Sequence, residues 1–334
     1  MKNRGQEMNE RIKYLDNVRA LCMIWIVGVW HMSDYCGVTI SNVCTQNITY
    51  GVLGAFTFLS GMMMGGWKNK IRSAEDVFYF YEKRLIRMYP LFALSCTSLL
   101  LLYYLANVQM ITGLAQYIFT MVGLSCVFTP APGTIWYISM ILLFYIITPF
   151  LVYKNDLNDK SVLLKSVLLY SLFILIKVTN TRFIDERLLI LFPTYSMGLM
   201  INKEKIVESF KCNYIRLFLG LIAFCVMSIA EFESVVILSS TVTKVAYTIS
   251  VVILFIVFIM EAGKCFKGIT EKLLSKISYS SMCAYLFHRQ IYGVISKVFG
   301  NFSALIALIS FISVIIISFY IQKIYDLLSK KIVV

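Results

Sequence analysis

The chain has 334 residues, of which 59% are hydrophobic and only 15% charged, with a mean hydropathy of +0.77. A soluble domain carries about 25% charged residues, so the composition excludes an ordinary soluble globular protein and a disordered one. The net charge of +13 invites a nucleic-acid reading. The basic residues follow membrane topology instead, and no nucleic-acid partner is expected.

In chain order, Met1 to Tyr14 is polar and basic. The apolar run after it is long enough to span a bilayer, so it reads as a first helix rather than the core of a cleaved leader. Apolar runs then predict spans near 17–36, 48–67, 87–106, 134–153, 161–178, 186–202, 214–231, 238–261, 279–297 and 302–327. No soluble domain interrupts them and no internal repeat is evident. The expected fold class is all-α: a polytopic membrane protein of about ten transmembrane helices, a single domain over 1–334, with both termini cytoplasmic.

Charge supports that orientation. With the N-terminus inside, only Lys177, Arg182, Arg187, Lys244 and Lys297 fall outside and Arg289 lies within a span; the rest of the 31 basic residues face in. Ile111 to Phe128 is also apolar. Counting it as a span would put Lys203, Lys205, Lys264 and Lys267 outside, so it is expected to be an interfacial or re-entrant piece, ended by Thr129-Pro130-Ala131-Pro132-Gly133.

Both histidines of the chain, His31 and His288, sit inside apolar runs. Ionisable groups at membrane depth are costly and mark functional sites, and imidazole moves protons near neutral pH. Arg19 precedes His31 by twelve positions, roughly 18 Å along a helix and about 120° around it. One extra residue in a π-bulge would bring the two onto one face, and such bulges often mark functional sites. Asp34, three residues after His31, is placed to orient its ring across a helical turn. Cys36 and Cys44 flank the first outer loop and are candidates for a disulfide. None of the nine cysteines has metal-type spacing, and no metal site is expected.

In the second span, Ser60-Gly61 reads as a close helix contact. Ser73 with Asp76 resembles a capping box, and Phe78-Tyr79-Phe80-Tyr81 suits an interfacial helix. Arg84 and Arg87 are neighbours on a helix and can grip one anionic group; guanidinium suits phosphate. Trp136 and Tyr137 open the fourth span, where aromatics anchor interfaces. Late in the chain, Ser278-Tyr279-Ser280 leads to Tyr285-Leu286-Phe287-His288-Arg289, with Arg289 requiring a partner or a wet cavity.

Taken together and in order, these segments resemble the acyltransferase 3 family of bacterial membrane O-acyltransferases. The resemblance rests on Arg19 with His31, Phe58-Leu59-Ser60-Gly61, Arg84 with Arg87, Trp136-Tyr137 followed by Tyr145-Ile146-Ile147-Thr148-Pro149, and Ser278-Tyr279-Ser280 through Tyr285-Leu286-Phe287-His288. Two departures stand out. The family usually has ten residues between the Arg and the His, against eleven here. Many members also carry a Glu shortly after the Trp-aromatic pair, where this chain has Ser139-Met140-Ile141-Leu142.

The resemblance implies acyl transfer from a cytoplasmic acyl-CoA, acetyl-CoA being expected, to a hydroxyl of a surface or lipid-linked glycan. No permanently bound cofactor is expected. It implies that Arg19, Arg84 and Arg87 bind the CoA phosphates and that His31, with Asp34, is catalytic as base or nucleophile. Ser60, Trp136, Tyr137, His288 and Arg289 are implied on the acceptor side or in structural roles. The expected location is the bacterial cytoplasmic membrane, among its lipids. The competing class is a glycan exporter or proton-coupled transporter, which also uses intramembrane His and Arg.

Overall fold

The computed structural model describes residues 13–68, 70–105, 113–128, 133–154, 159–180, 182–201, 212–233 and 240–332. The basic stretch up to residue 12, the turn at 129–132, and Lys203 and Lys205 lie outside them. Helix dominates, and among the described residues the only β pairing is an isolated bridge between Phe128 and Phe183.

The helices are α1 (Lys13–Met23), a π-helical segment (Ile24–Trp30), α2 (Ser33–Cys36), α3 (Val43–Gly65), α4 (Ala74–Leu105), α5 (Leu114–Met121), α6 (Trp136–Val152), α7 (Asp159–Thr179), α8 (Glu186–Met200), α9 (Tyr214–Phe232), α10 (Thr241–Gly263), α11 (Ile269–Phe299) and α12 (Ala304–Ile332). Among the described residues, six are long and apolar enough to cross a membrane: α3, α4, α7, α9, α10 and α12. The chain is therefore an all-α polytopic membrane protein. Of the segment from Ile111 to Phe128, the described residues 113–128 contribute only the eight-residue α5, about 12 Å of helix and too short to span.

Burial sorts the helices. α3 has 67% of its most apolar window buried, against 17% for α7, α9 and α12. Leu164 and Leu168 of α7, Leu219 and Ile222 of α9, and Leu305 and Leu308 of α12 are exposed. So much bare aliphatic surface suits lipid, not water.

At the centre α3 lies against α8 with glycines at the contact. A Cβ on Gly61 would come 2.1 Å from the Tyr195 carbonyl oxygen, and one on Gly198 would come 2.2 Å from that of Phe58. The backbones touch, as small residues permit in membranes. α1 packs on α10 and α11. There the Asn17 amide donates to the Gly263 carbonyl at 2.8 Å, and the Ser278 hydroxyl donates to buried Asp16 at 2.8 Å.

These contacts define two faces. The connection 37–42 joins α2 to α3 and marks one of them, the loop face. The opposite, basic face carries the start of α1, the ends of α3 and α10 and the start of α7. There Lys68 pairs with Asp159 at 2.5 Å.

Ser73 and Asp76 do cap α4: the Ser73 N–H donates to Asp76 at 2.8 Å and the Asp76 N–H donates to the Ser73 hydroxyl at 3.2 Å. The interfacial piece and the third span are one continuous helix with Pro90 inside it. Proline cannot bond back to the carbonyl four residues earlier. That carbonyl, of Ile86, accepts instead from the Tyr325 hydroxyl of α12. Cys36 and Cys44, the candidate pair, are free thiols, and the Cys44 thiol points to the Ser228 carbonyl on α9 at 3.7 Å.

Candidate active site

The stretch between Arg19 and His31 is not α-helical throughout. Ile24 to Trp30 is π-helix, closed by the His31 N–H donating to the Ile26 carbonyl at 2.9 Å. Such a turn bonds five residues back instead of four and so absorbs additional residues. Removing one residue from the twelve-position step brings an ideal helix to within about 20° of a common face. The eleven-residue spacing is thus accommodated in the backbone.

The π segment packs on α11 and sets His31 against His288. The rings stack, centroids 4.7 Å apart and planes 4° from parallel, and both side chains are buried. His288 Nδ1 lies 2.8 Å from the Tyr285 carbonyl and 3.1 Å from that of Ala284. Both partners are acceptors, so Nδ1 carries the proton and Nε2 carries the lone pair. Among the described residues, that Nε2 and the Nδ1 of His31 are buried without a hydrogen-bond partner. Buried polar atoms are seldom left so.

Aromatic rings wall the pair. Tyr285 lies 5.9 Å from His288 and 6.3 Å from His31, and Tyr292 lies 5.9 Å from His288. Tyr137 is 5.6 Å from Tyr285 and Trp136 is 5.7 Å from Tyr137. The Arg187 guanidinium sits 4.1 Å over the Trp136 ring and is held by Asp185 at 2.5 Å. Burial would raise the Asp185 carboxyl, yet Arg187 keeps it below the ordinary carboxylate value. The Tyr285 hydroxyl donates to the Thr134 carbonyl at 2.9 Å. Thr134 has φ +63°, unusual for a β-branched residue, so α11 pins a strained turn at the start of α6.

Asp34 does not serve His31 as its acid. Its carboxylate accepts from Arg289 Nη1 at 2.8 Å. A guanidinium at this depth needs a counter-charge, and α2 delivers Asp34 to it. Ser139, near where many members carry a Glu, accepts from the Ser125 hydroxyl at 2.7 Å and supplies no acid.

Ser60 does not join this cluster. The Tyr137 hydroxyl meets the Leu53 carbonyl at 3.3 Å, and Ser60 lies seven residues on, about 10 Å nearer the basic face. Its neighbour Gly61 abuts the Tyr195 backbone of α8. Arg84 packs over Trp67 at 5.8 Å, with its Nε buried and unpartnered among the described residues, while Arg87 is exposed one turn on. Arg19 lies 4.0 Å from Asp16 on α1. No group of three or more metal-ligating side chains occurs among the described residues.

Sequence reasoning places Tyr285 in the late motif without a role beside the imidazoles, and does not single out Tyr292 or the Arg187–Asp185 pair. The position of Tyr285 three residues before His288 was the available signal, since such residues share a helix face.

Among curated proteins and solved structures, none matches the chain. The sequence profile of the acyltransferase 3 family, described as an acyltransferase domain, matches residues 12–323, nearly the whole length. With a buried imidazole pair at the meeting of its first helix and α11, this chain belongs to the acyltransferase 3 family and is a membrane acyltransferase.

Proposed function

We propose that the protein is an O-acyltransferase of the bacterial cytoplasmic membrane, moving an acyl group, acetyl first among candidates, from cytoplasmic acyl-CoA to a hydroxyl of a surface or lipid-linked glycan. The observation that carries this reading is the stacked His31–His288 pair, two buried imidazoles each with a ring nitrogen that has no hydrogen-bond partner among the described residues. The excess of basic residues orients the basic face to the cytoplasm.

On that face Arg84 and Arg87 bind the CoA phosphates, with the Arg84 Nε, unpartnered among the described residues, as a ready donor. Arg19 is the third cation, at the start of the path along α1. The pantetheine arm runs between helices towards the imidazoles. His31 takes the proton of the acceptor hydroxyl as its oxygen attacks the thioester carbonyl. The new C–O bond forms, the C–S bond breaks, and CoA leaves as a thiol with the proton returned from the imidazole. His288, its tautomer fixed by two carbonyls, holds the His31 ring in place. Tyr137, Tyr285 and Trp136 wall the acceptor side.

The test is transfer of radiolabelled acetyl from acetyl-CoA to cell-surface glycan in membranes, with wild type, His31→Ala and His288→Ala at matched expression. Label in wild type that is lost in His31→Ala supports the reading. Equal label in both removes His31 from the chemistry. No label from acetyl-, succinyl- or longer acyl-CoA in wild type favours an exporter.

A further inference from the structure

On the loop face a cavity of about 450 Å³ opens between Trp30, Ser33, Asp34 and the strand of chain from Gly37 to Ser41. Its position is tied to both imidazoles. Trp30 directly precedes His31, and Asp34 binds Arg289, which directly follows His288. The cavity is thus joined to the stacked pair through Trp30 and the Asp34–Arg289 contact, on the face opposite the basic one.

The lining is specific in kind. It offers one indole, one carboxylate, the hydroxyls of Ser33, Thr39 and Ser41, and the aliphatic Val38 and Ile40. An indole face takes the C–H face of a sugar ring, while a carboxylate and hydroxyls accept from or donate to ring hydroxyls. The volume is in the range of small-ligand sites and holds one or two sugar rings. Its charge is also informative. The one carboxylate is neutralised by Arg289 at 2.8 Å, and no other charged residue lines the cavity. The wall therefore offers nothing to balance a phosphate or uronate.

We infer that this cavity binds a neutral pyranose ring of the glycan that accepts the acyl group. The inference rests on the proposed acyl transfer for the word acceptor; the sugar site itself follows from the cavity. Trp30 carries the ring, Asp34 with Thr39 and Ser41 reads its hydroxyls, and one remaining hydroxyl is turned towards His31.

The test is saturation-transfer NMR on the full chain in lipid nanodiscs, without acyl-CoA. The probes are the methyl glycosides of glucose, galactose, mannose, rhamnose and N-acetylglucosamine, with glucuronic acid as the charged comparator. At least one neutral glycoside should show saturation on its ring protons. The signal should fall at least five-fold in Trp30→Leu and at least three-fold in Thr39→Val/Ser41→Ala, whose exposed positions leave packing intact, and glucuronate should give none. The inference is overturned if no neutral glycoside is saturated by wild type, if the signal survives in Thr39→Val/Ser41→Ala, or if glucuronate is saturated as strongly. A wild type that binds the glycosides but transfers no acyl group keeps the cavity and sinks the enzymatic reading. One that acylates glycan but saturates no glycoside sinks the cavity alone.

Discussion

His31 and His288 stand face to face, 4.7 Å between ring centroids and 4° from parallel, although they come from opposite ends of the chain. Neither helix achieves this alone. The π segment aims His31, and the Tyr285 and Ala284 carbonyls fix the His288 ring. Groups that act as a unit show non-additive losses. We expect His31→Ala and His288→Ala each to lower acyl transfer by about 10²- to 10⁴-fold, the usual scale of general acid–base catalysis. The double variant should lose little more than the worse single one. Losses that multiply, measured as label transfer in membranes at matched expression, would show two independent roles.

Arg84 presents a buried Nε beside Trp67 with no hydrogen-bond partner among the described residues, whereas Arg87 is exposed. A charge-assisted hydrogen bond contributes about 1.5–3 kcal/mol. Arg84→Ala should therefore raise the KM for acyl-CoA by about 10- to 100-fold. Arg87→Ala should raise it less, because water screens an exposed charge. Steady-state kinetics with the glycan saturating separates the two. An unchanged KM in both variants would move the phosphates elsewhere.

The π segment gives an unusual prediction about length. Deleting Val29, an exposed residue within it, should let the helix close to ordinary α geometry. Arg19 and His31 would then be eleven positions apart, with ten residues between them and about 20° from a common face, with activity within about ten-fold of wild type. Inserting an alanine at the same place should cost about 10²-fold or more, since misplacement by an ångström has that effect. If deletion and insertion are equally harmful, the π turn is not what sets the register.

The π turn was legible because it follows from one spacing within one helix. So were the short α5, from charge asymmetry, and the Ser73–Asp76 cap, from local sequence. The His31–His288 stack was not, because it depends on how α1 and α11 pack across the whole length of the chain. Asp34 shows why local rules mislead here. At three positions from His31 it suits a helical contact, but the demand of Arg289 for a counter-charge governs its place. The Ser60-Gly61 pair was legible as a close helix contact, but its partner, the Tyr195 backbone of α8, was not, because that contact joins two separate helices.

The Asp34–Arg289 pair joins α2 to α11 beside the imidazoles. Removing one partner of a buried pair costs about 3–5 kcal/mol. The Asp34 side chain is 56% exposed, so about 1–2 kcal/mol is the better expectation for Asp34→Asn. Arg289→Gln should cost more, as the guanidinium is the buried partner. The combined variant should recover part of the loss, with a coupling of about 0.5–3 kcal/mol. Thermal melting in detergent of the four proteins closes the cycle. Additive losses would mean that the contact contributes nothing to stability.

The Gly61–Gly198 contact makes the sharpest claim about packing. A single methyl on Gly61 would lie 2.1 Å from the Tyr195 carbonyl oxygen, and that oxygen belongs to helix backbone. Rotamer change cannot relieve the clash; α3 and α8 must part. Overpacking usually costs about 1–3 kcal/mol when side chains can move, so a backbone clash between two buried helices should exceed about 3 kcal/mol. Gly61→Ala should therefore reduce folded protein in the membrane sharply, as should Gly198→Ala, where the added methyl would meet the Phe58 carbonyl at 2.2 Å. Ser60→Ala, a change that adds no atoms one position away, should fold normally. Size-exclusion profiles of detergent extracts measure this directly, and a monodisperse Gly61→Ala protein at wild-type yield would show that α3 and α8 are not in backbone contact.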